Sequence, residues 1–162
     1  MGKRSVLKNY GFLGVMLLSM LLGCVLGWIA PGAAVGVKPL GTFVGTGSAA
    51  VVECLGCAGL DFVILDNEHS PIEAETTAEL VRAAERRSIT PLARVREISR
   101  PAILKLLDVG VQGLIIPDVH SAEDVRRIVS YAKYAPVGQR GFCPSRKDGW
   151  GTDMPGSVAD VM

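Results

Sequence analysis

Two patterns of hydrophobic and polar positions divide the chain. No charged side chain occurs between Asn9 and Val37, and residues 11–30 form a run of Leu, Met, Val and Gly with few polar groups. About 20 apolar residues in a helix span a bilayer core, and this run has no polar face of the kind a surface helix carries. The pattern predicts a transmembrane helix over residues 11–30, ended by Pro31-Gly32, with Trp28 near one interface and Gly23-x-x-x-Gly27 as a close-packing face. Lys3, Arg4 and Lys8 precede the run and only Lys38 closely follows it, which orients the amino terminus toward the cytoplasm. A cleaved signal peptide and a lipobox at Leu21-Leu22-Gly23-Cys24 compete with this reading. The run is long for a signal peptide, Ala33-Ala34 is a weak cleavage signal, and apolar residues follow Cys24 directly.

After Gly41 the pattern alternates. Short apolar runs at residues 42–45, 62–65, 91–95 and 113–117 read as strands. Phe62-Val63-Ile64-Leu65 and Leu114-Ile115-Ile116 have no polar interruption, as expected of strands buried on both faces. Helices are predicted over residues 49–58, 76–87, from Ser99 to 109, and 125–134. In the second, Leu80, Val81 and Ala84 share one side and Arg82, Glu85 and Arg86 the other. Ser99 caps the third, with Pro101 in its first turn, and Gly110 stops it. Ser121-x-x-Asp124 is a near-capping box for the fourth. Alternating strands and helices at this interval mean βαβ units on a parallel sheet, an α/β fold.

Composition sharpens the division. The whole chain of 162 residues carries 17 basic and 16 acidic groups, so nothing suggests a nucleic-acid partner. Residues 1–42 contain no acidic group, whereas the remainder is net acidic. Three segments follow: residues 1–38, a basic flank and membrane helix; residues 40–150, the βα domain; and residues 151–162, a tail. Cys54-Leu55-Gly56-Cys57 lies mid-helix and reads as two small packing residues, Cys143 as a free thiol. No disulfide is implied, which suits a reducing compartment.

In such sheets chemistry gathers at the carboxyl ends of the strands. Asp66-Asn67-Glu68-His69-Ser70-Pro71 follows the second strand, Arg94 and Arg96 close the third, and Asp118 and His120 follow the fourth. The loop after the last helix carries Arg140-Gly141 and Arg146. Carboxylates, a histidine and an arginine on one rim suit acid/base chemistry on an anionic substrate. Each also has a structural reading: Asp66 as a loop cap, Glu68 as a solvated carboxylate, Arg94 as an ion-pair partner, Asp108 as a surface group at a helix end.

These motifs resemble, in order and spacing, the HpcH/HpaI aldolase/citrate lyase family of class II pyruvate aldolases. The likeness runs through Gly59-Leu60-Asp61-Phe62, Asp66 to Pro71, Pro91-Leu92-Ala93-Arg94-Val95, residues 106–113 and Gly138-Gln139-Arg140-Gly141. It implies the first four βα units of a (β/α)8 barrel and cleavage of 4-hydroxy-2-oxo acids to pyruvate and an aldehyde. It implies that Arg94, with Glu68 and Arg140, holds the oxo acid, that His69 is the general acid/base, that Asp108 orients His69, and that Asp66 shapes the rim. It also implies a divalent cation (Mg2+, Mn2+ or Co2+) whose ligands are expected beyond Met162, and little turnover from these residues alone. A partial barrel leaves open sheet edges, so association with a second copy is expected. Residues 11–41, ending Lys38-Pro39-Leu40-Gly41, resemble the first transmembrane helix of sodium:dicarboxylate symporters. The alternative functions are therefore a symporter remnant fused to a non-catalytic βα module, and a binding module for 2-oxo acids. The expected localisation is a single-pass membrane protein.

Overall fold

A computed structural model describes residues 23–27 and 38–151. Among these residues five strands and four helices follow in chain order: β1 (Gly23–Gly27), β2 (Gly41–Val44), α1 (Ala49–Cys57), β3 (Phe62–Asp66), α2 (Ala74–Arg86), β4 (Thr90–Arg94), α3 (Arg100–Asp108), β5 (Gly113–Pro117) and α4 (Ala122–Ala132). A short 3-10 segment covers Arg146–Gly151. The sheet order is β1-β5-β4-β3-β2, with β2 to β5 parallel and β1 antiparallel to β5. The four parallel strands and their helices are the βα units that the hydrophobic pattern predicts.

Period-two alternation sorts the strand residues between two faces. Val63, Leu65, Ala93, Leu114 and Ile116 point to the helix layer and are fully buried there. They meet Val52 of α1, Leu80, Val81 and Ala84 of α2, Ile103 of α3 and Ile128 of α4. On the other face Phe43, Ile64 and Leu92 lie in register across three strands. Phe43 is exposed, while Ile64, Leu92 and Ile115 are half-buried. The expectation of strands buried on both faces is thus met on one. The second apolar face is the one a closed barrel would turn inward.

Local chemistry sets the helix ends. Ser99 accepts the Ala102 N–H, and Pro101 occupies the first turn of α3, where its missing N–H breaks no bond. Ser121 and Asp124 form a complete capping box on α4. The turn from α3 into β5 is made at Gly110, whose φ of +99° is the left-handed region. A Cβ there would also meet the Arg146 guanidinium at 2.8 Å.

The expected membrane helix is corrected. Gly23–Gly27 lie inside residues 11–30 but form a strand, in register with Gly113–Pro117 of β5. Pairing with β5 satisfies backbone groups that this sheet edge would otherwise leave open. No helix among the described residues is long and apolar enough to cross a membrane. The single-pass localisation is therefore not sustained. The rest of residues 11–30, the basic flank before them and residues 152–162 lie outside the described residues. The cysteine reading is corrected as well: Cys54 and Cys57 are exposed rather than packed.

Candidate functional site

The parallel register brings the ends of β3 and β4 together, with Asp66 directly opposite Arg94. Both side chains rise from the face opposite the helices, at the carboxyl rim. Arg94 donates from Nε to Asp66 Oδ1 at 3.0 Å and from Nη2 to Asp66 Oδ2 at 2.7 Å. Its Nη1 makes an ion pair with Glu68 Oε2 at 3.1 Å. The guanidinium also lies over the Phe43 ring, 5.0 Å from its centroid. One cation is therefore fixed in orientation by two carboxylates and an aromatic face.

Asp66 has a second task. Its Oδ1 accepts the backbone N–H groups of Glu68 and His69, at 3.1 and 3.2 Å, and so shapes the loop that presents those residues. Ser70 Oγ donates to the Asp66 carbonyl and closes the same turn. The Arg94 guanidinium first, then the His69 and Glu68 N–H groups, hold the Asp66 carboxyl below its ordinary pKa. The same pairing raises Arg94. The rim at Asp66 and Arg94 is thus a fixed, fully ionised pair at neutral pH.

Asn67 points the other way, into the protein. It is buried, donates from Nδ2 to the Leu65 carbonyl, and accepts the buried Thr77 hydroxyl at 2.9 Å. Its backbone N–H donates to the Arg94 carbonyl at 3.0 Å. This residue pins the loop to α2 and β4. His69 stands free of the pair, with a side chain 68% exposed and Nε2 3.6 Å from Glu68 Oε1. That separation exceeds a hydrogen bond and leaves the imidazole able to reach a substrate.

The structure separates two of the expected site residues from this cluster. Asp108 ends α3, which runs antiparallel to the strands and returns to their amino ends. There its Oδ1 accepts from Arg140 Nη2 at 2.6 Å. Arg140, 8% exposed, stacks over Tyr134, with its Cζ 4.9 Å from the ring centroid. Asp108 thus pairs with Arg140 rather than with His69, and neither residue is part of the Arg94 cluster. The pair clamps the loop after α4 to the end of α3, helped by Ser145 Oγ donating to the Asp108 carbonyl. Asp118 and His120 are exposed at the carboxyl end of β5, and Arg96 pairs with Glu73. Sequence reasoning missed Phe43, Asn67 and Thr77. Strand alternation places Phe43 on the Arg94 face, whereas no sequence signal marks the Asn67–Thr77 contact.

No three His, Cys, Asp or Glu side chains among the described residues are grouped so as to hold a metal ion. Asp66 and Glu68 carry a guanidinium between them, which opposes a second cation at those carboxylates. The described residues therefore do not themselves make a divalent-cation site, and the expectation placed the cation's ligands beyond Met162 rather than among them. A cavity of about 190 Å³ between the starts of α2 and α3 is lined by Asn67, Glu73, Arg96 and Lys105 among others, and Arg94, Asp66, Glu68 and His69 do not line it.

The model of the HpcH/HpaI aldolase/citrate lyase family matches residues 40–159. A 2-dehydro-3,6-dideoxy-6-sulfogluconate aldolase from Pseudomonas putida is 36% identical over 131 residues, covering 76% of this chain and 51% of that protein. A 2-keto-3-deoxy-L-rhamnonate aldolase from Escherichia coli K12 is 33% identical over 118 residues, covering 72% of this chain and 44% of that protein. The crystal structure of an HpcH/HpaI aldolase from Desulfitobacterium hafniense DCB-2 superposes with a TM-score of 0.67 at 31% identity, covering 76% of this chain and 47% of that one. The chain thus spans about half the length of the relatives it matches. The likeness of residues 11–41 to sodium:dicarboxylate symporters finds no support, and neither do membrane attachment and self-association.

Proposed function

Because this chain belongs to the HpcH/HpaI aldolase/citrate lyase family, we propose that its carboxyl rim is the oxo-acid end of a carbon–carbon lyase acting on 4-hydroxy-2-oxo acids. The observation that supports this most is the Arg94 fork, held at the end of β4 by Asp66 and Glu68. A guanidinium has more N–H groups than these contacts use, and the remainder suit a substrate carboxylate. The two relatives described above are named for aldolase activity on keto-sugar acids, which agrees with an anionic oxo-acid substrate.

In this reading Arg94 binds the carboxylate of the oxo acid and orients its carbon chain along the rim. His69 accepts the proton of the C4 hydroxyl. The C3–C4 bond then breaks, the aldehyde leaves, and the bonding pair passes into the 2-oxo group as an enolate. Protonation at C3 gives pyruvate. Asp66 holds Arg94 and the His69 loop at once, so binding and proton transfer share one support. The family carries the expectation of a divalent cation that stabilises the enolate. Since the described residues do not fit one, no step here is assigned to it.

The test is release of pyruvate from a 4-hydroxy-2-oxo acid, with the chain expressed in register with the later half of a family member. His69→Ala should lower kcat by about 10²–10⁴-fold, the usual worth of a positioned acid/base. An unchanged kcat would remove His69 from the chemistry.

A further inference from the structure

Cysteine ranks among the most buried residue types, yet Cys54 and Cys57 are both exposed. Both lie within α1, three residues apart, and Cys57 is its last residue. Residues at this helical spacing share a face, with Cβ atoms about 5–6 Å apart. The buried contact of α1 is made elsewhere, by Val52, with Ala49 and Leu55 packed against the core. The two thiols therefore form one surface pair that the core does not need.

Their surroundings are defined. Arg87, just past α2, bonds Glu53 of α1 through Nη2 at 2.7 Å and Nε at 3.2 Å. A Cβ at Gly56 would lie 2.5 Å from the Arg87 Cβ, so the Arg87 stem runs against the last turn of α1 between the two cysteines in sequence.

The spacing discriminates between uses of such a pair. A disulfide needs Cβ atoms about 3.5–4.5 Å apart, closer than this helical spacing gives. A bridging atom with bonds to sulfur of about 2.3 Å spans the gap without unwinding the turn. No third His, Cys, Asp or Glu joins the pair in a metal-holding group among the described residues, so a four-ligand tetrahedral centre is not built here. We infer that Cys54 and Cys57 form a dithiol site for a thiophilic ion satisfied by two sulfur donors, of the trivalent arsenical class. With phenylarsine oxide, two S–H bonds break and two As–S bonds form. The oxide oxygen leaves as water with both protons, and arsenic stays trivalent. The site is separate from the Arg94 rim and does not depend on the aldolase reading.

The test uses the whole chain, reduced, titrated with phenylarsine oxide and followed by native mass spectrometry and free-thiol counting. One bridged adduct should form, removing two thiols, resisting excess monothiol and reversing with a dithiol. Cys54→Ser and Cys57→Ser should each raise the half-saturating concentration by about 10²-fold, because the second sulfur no longer binds intramolecularly. Cys24→Ser and Cys143→Ser should leave it unchanged, and circular dichroism should show every variant folded. Retention of the bridged adduct in either Cys54→Ser or Cys57→Ser, or its loss in Cys24→Ser or Cys143→Ser, would overturn the assignment.

Discussion

Replacing Asp66 by asparagine isolates the bond on which the rim depends. The carboxylate accepts two guanidinium N–H groups and two backbone N–H groups. Asn keeps the shape, supplies one acceptor oxygen, and turns an NH2 group toward donors. The side chains of Arg94 and Asp66 are 23% and 12% exposed, between surface and interior. Breaking a buried pair costs about 3–5 kcal/mol, and a surface pair is worth about 0–1. Glu68 stays beside Arg94, so the guanidinium is not orphaned, and about 2 kcal/mol is expected at pH 7. The pH dependence follows from the lowered carboxyl of Asp66. A folded-state pKa below the unfolded one gives stability that is complete above about pH 4 and disappears as the pH falls through the folded value. Urea unfolding of wild type and Asp66→Asn should therefore show a constant gap from pH 7 to about 5 that narrows toward pH 3. In a double-mutant cycle with Arg94→Met the coupling should be at least about 1 kcal/mol. A gap under about 0.5 kcal/mol at pH 7, or one unchanged at pH 3, refutes the reasoning.

Three other outcomes follow from the same structure. Thr77→Val removes the hydroxyl that Asn67 accepts inside the protein and should cost about 1–3 kcal/mol in urea unfolding, with Thr77→Ser closer to wild type. Ser121→Ala takes one half of the α4 capping box and should cost about 1 kcal/mol, measured as a shift in the unfolding midpoint. His69→Ala, at an exposed side chain, should change stability by less than about 0.5 kcal/mol, so that any loss of turnover is chemical.

The four βα units were legible because their signals are local. Uninterrupted apolar runs marked β3 and β5, the spacing of Leu80, Val81 and Ala84 marked the buried side of α2, and Ser99 and Ser121 marked helix starts. The meeting of Asp66 with Arg94 followed from parallel strands sharing one rim. Asp108 and Arg140 pair with each other, apart from Arg94, for a geometric reason. A motif read along the chain does not reveal that a helix carries its last residue back to the amino ends of the strands. The segment around Gly23 was misread because apolarity alone does not distinguish a spanning helix from a strand added to a sheet edge. The cysteines read as packing residues from their mid-helix position, whereas their exposure depends on which side of α1 meets the core.

The central claim is that Arg94 is the anion receptor of an oxo-acid site. Titrating the chain with pyruvate, or with oxalate as its enolate mimic, while observing the Arg94 Nε–H resonance tests it directly. Saturable binding that moves this resonance is expected, and Arg94→Met should weaken it by about 1.5–3 kcal/mol, or roughly 10- to 150-fold in Kd. Equal affinity in wild type and Arg94→Met, or binding that leaves the Arg94 resonance unmoved, would contradict the account.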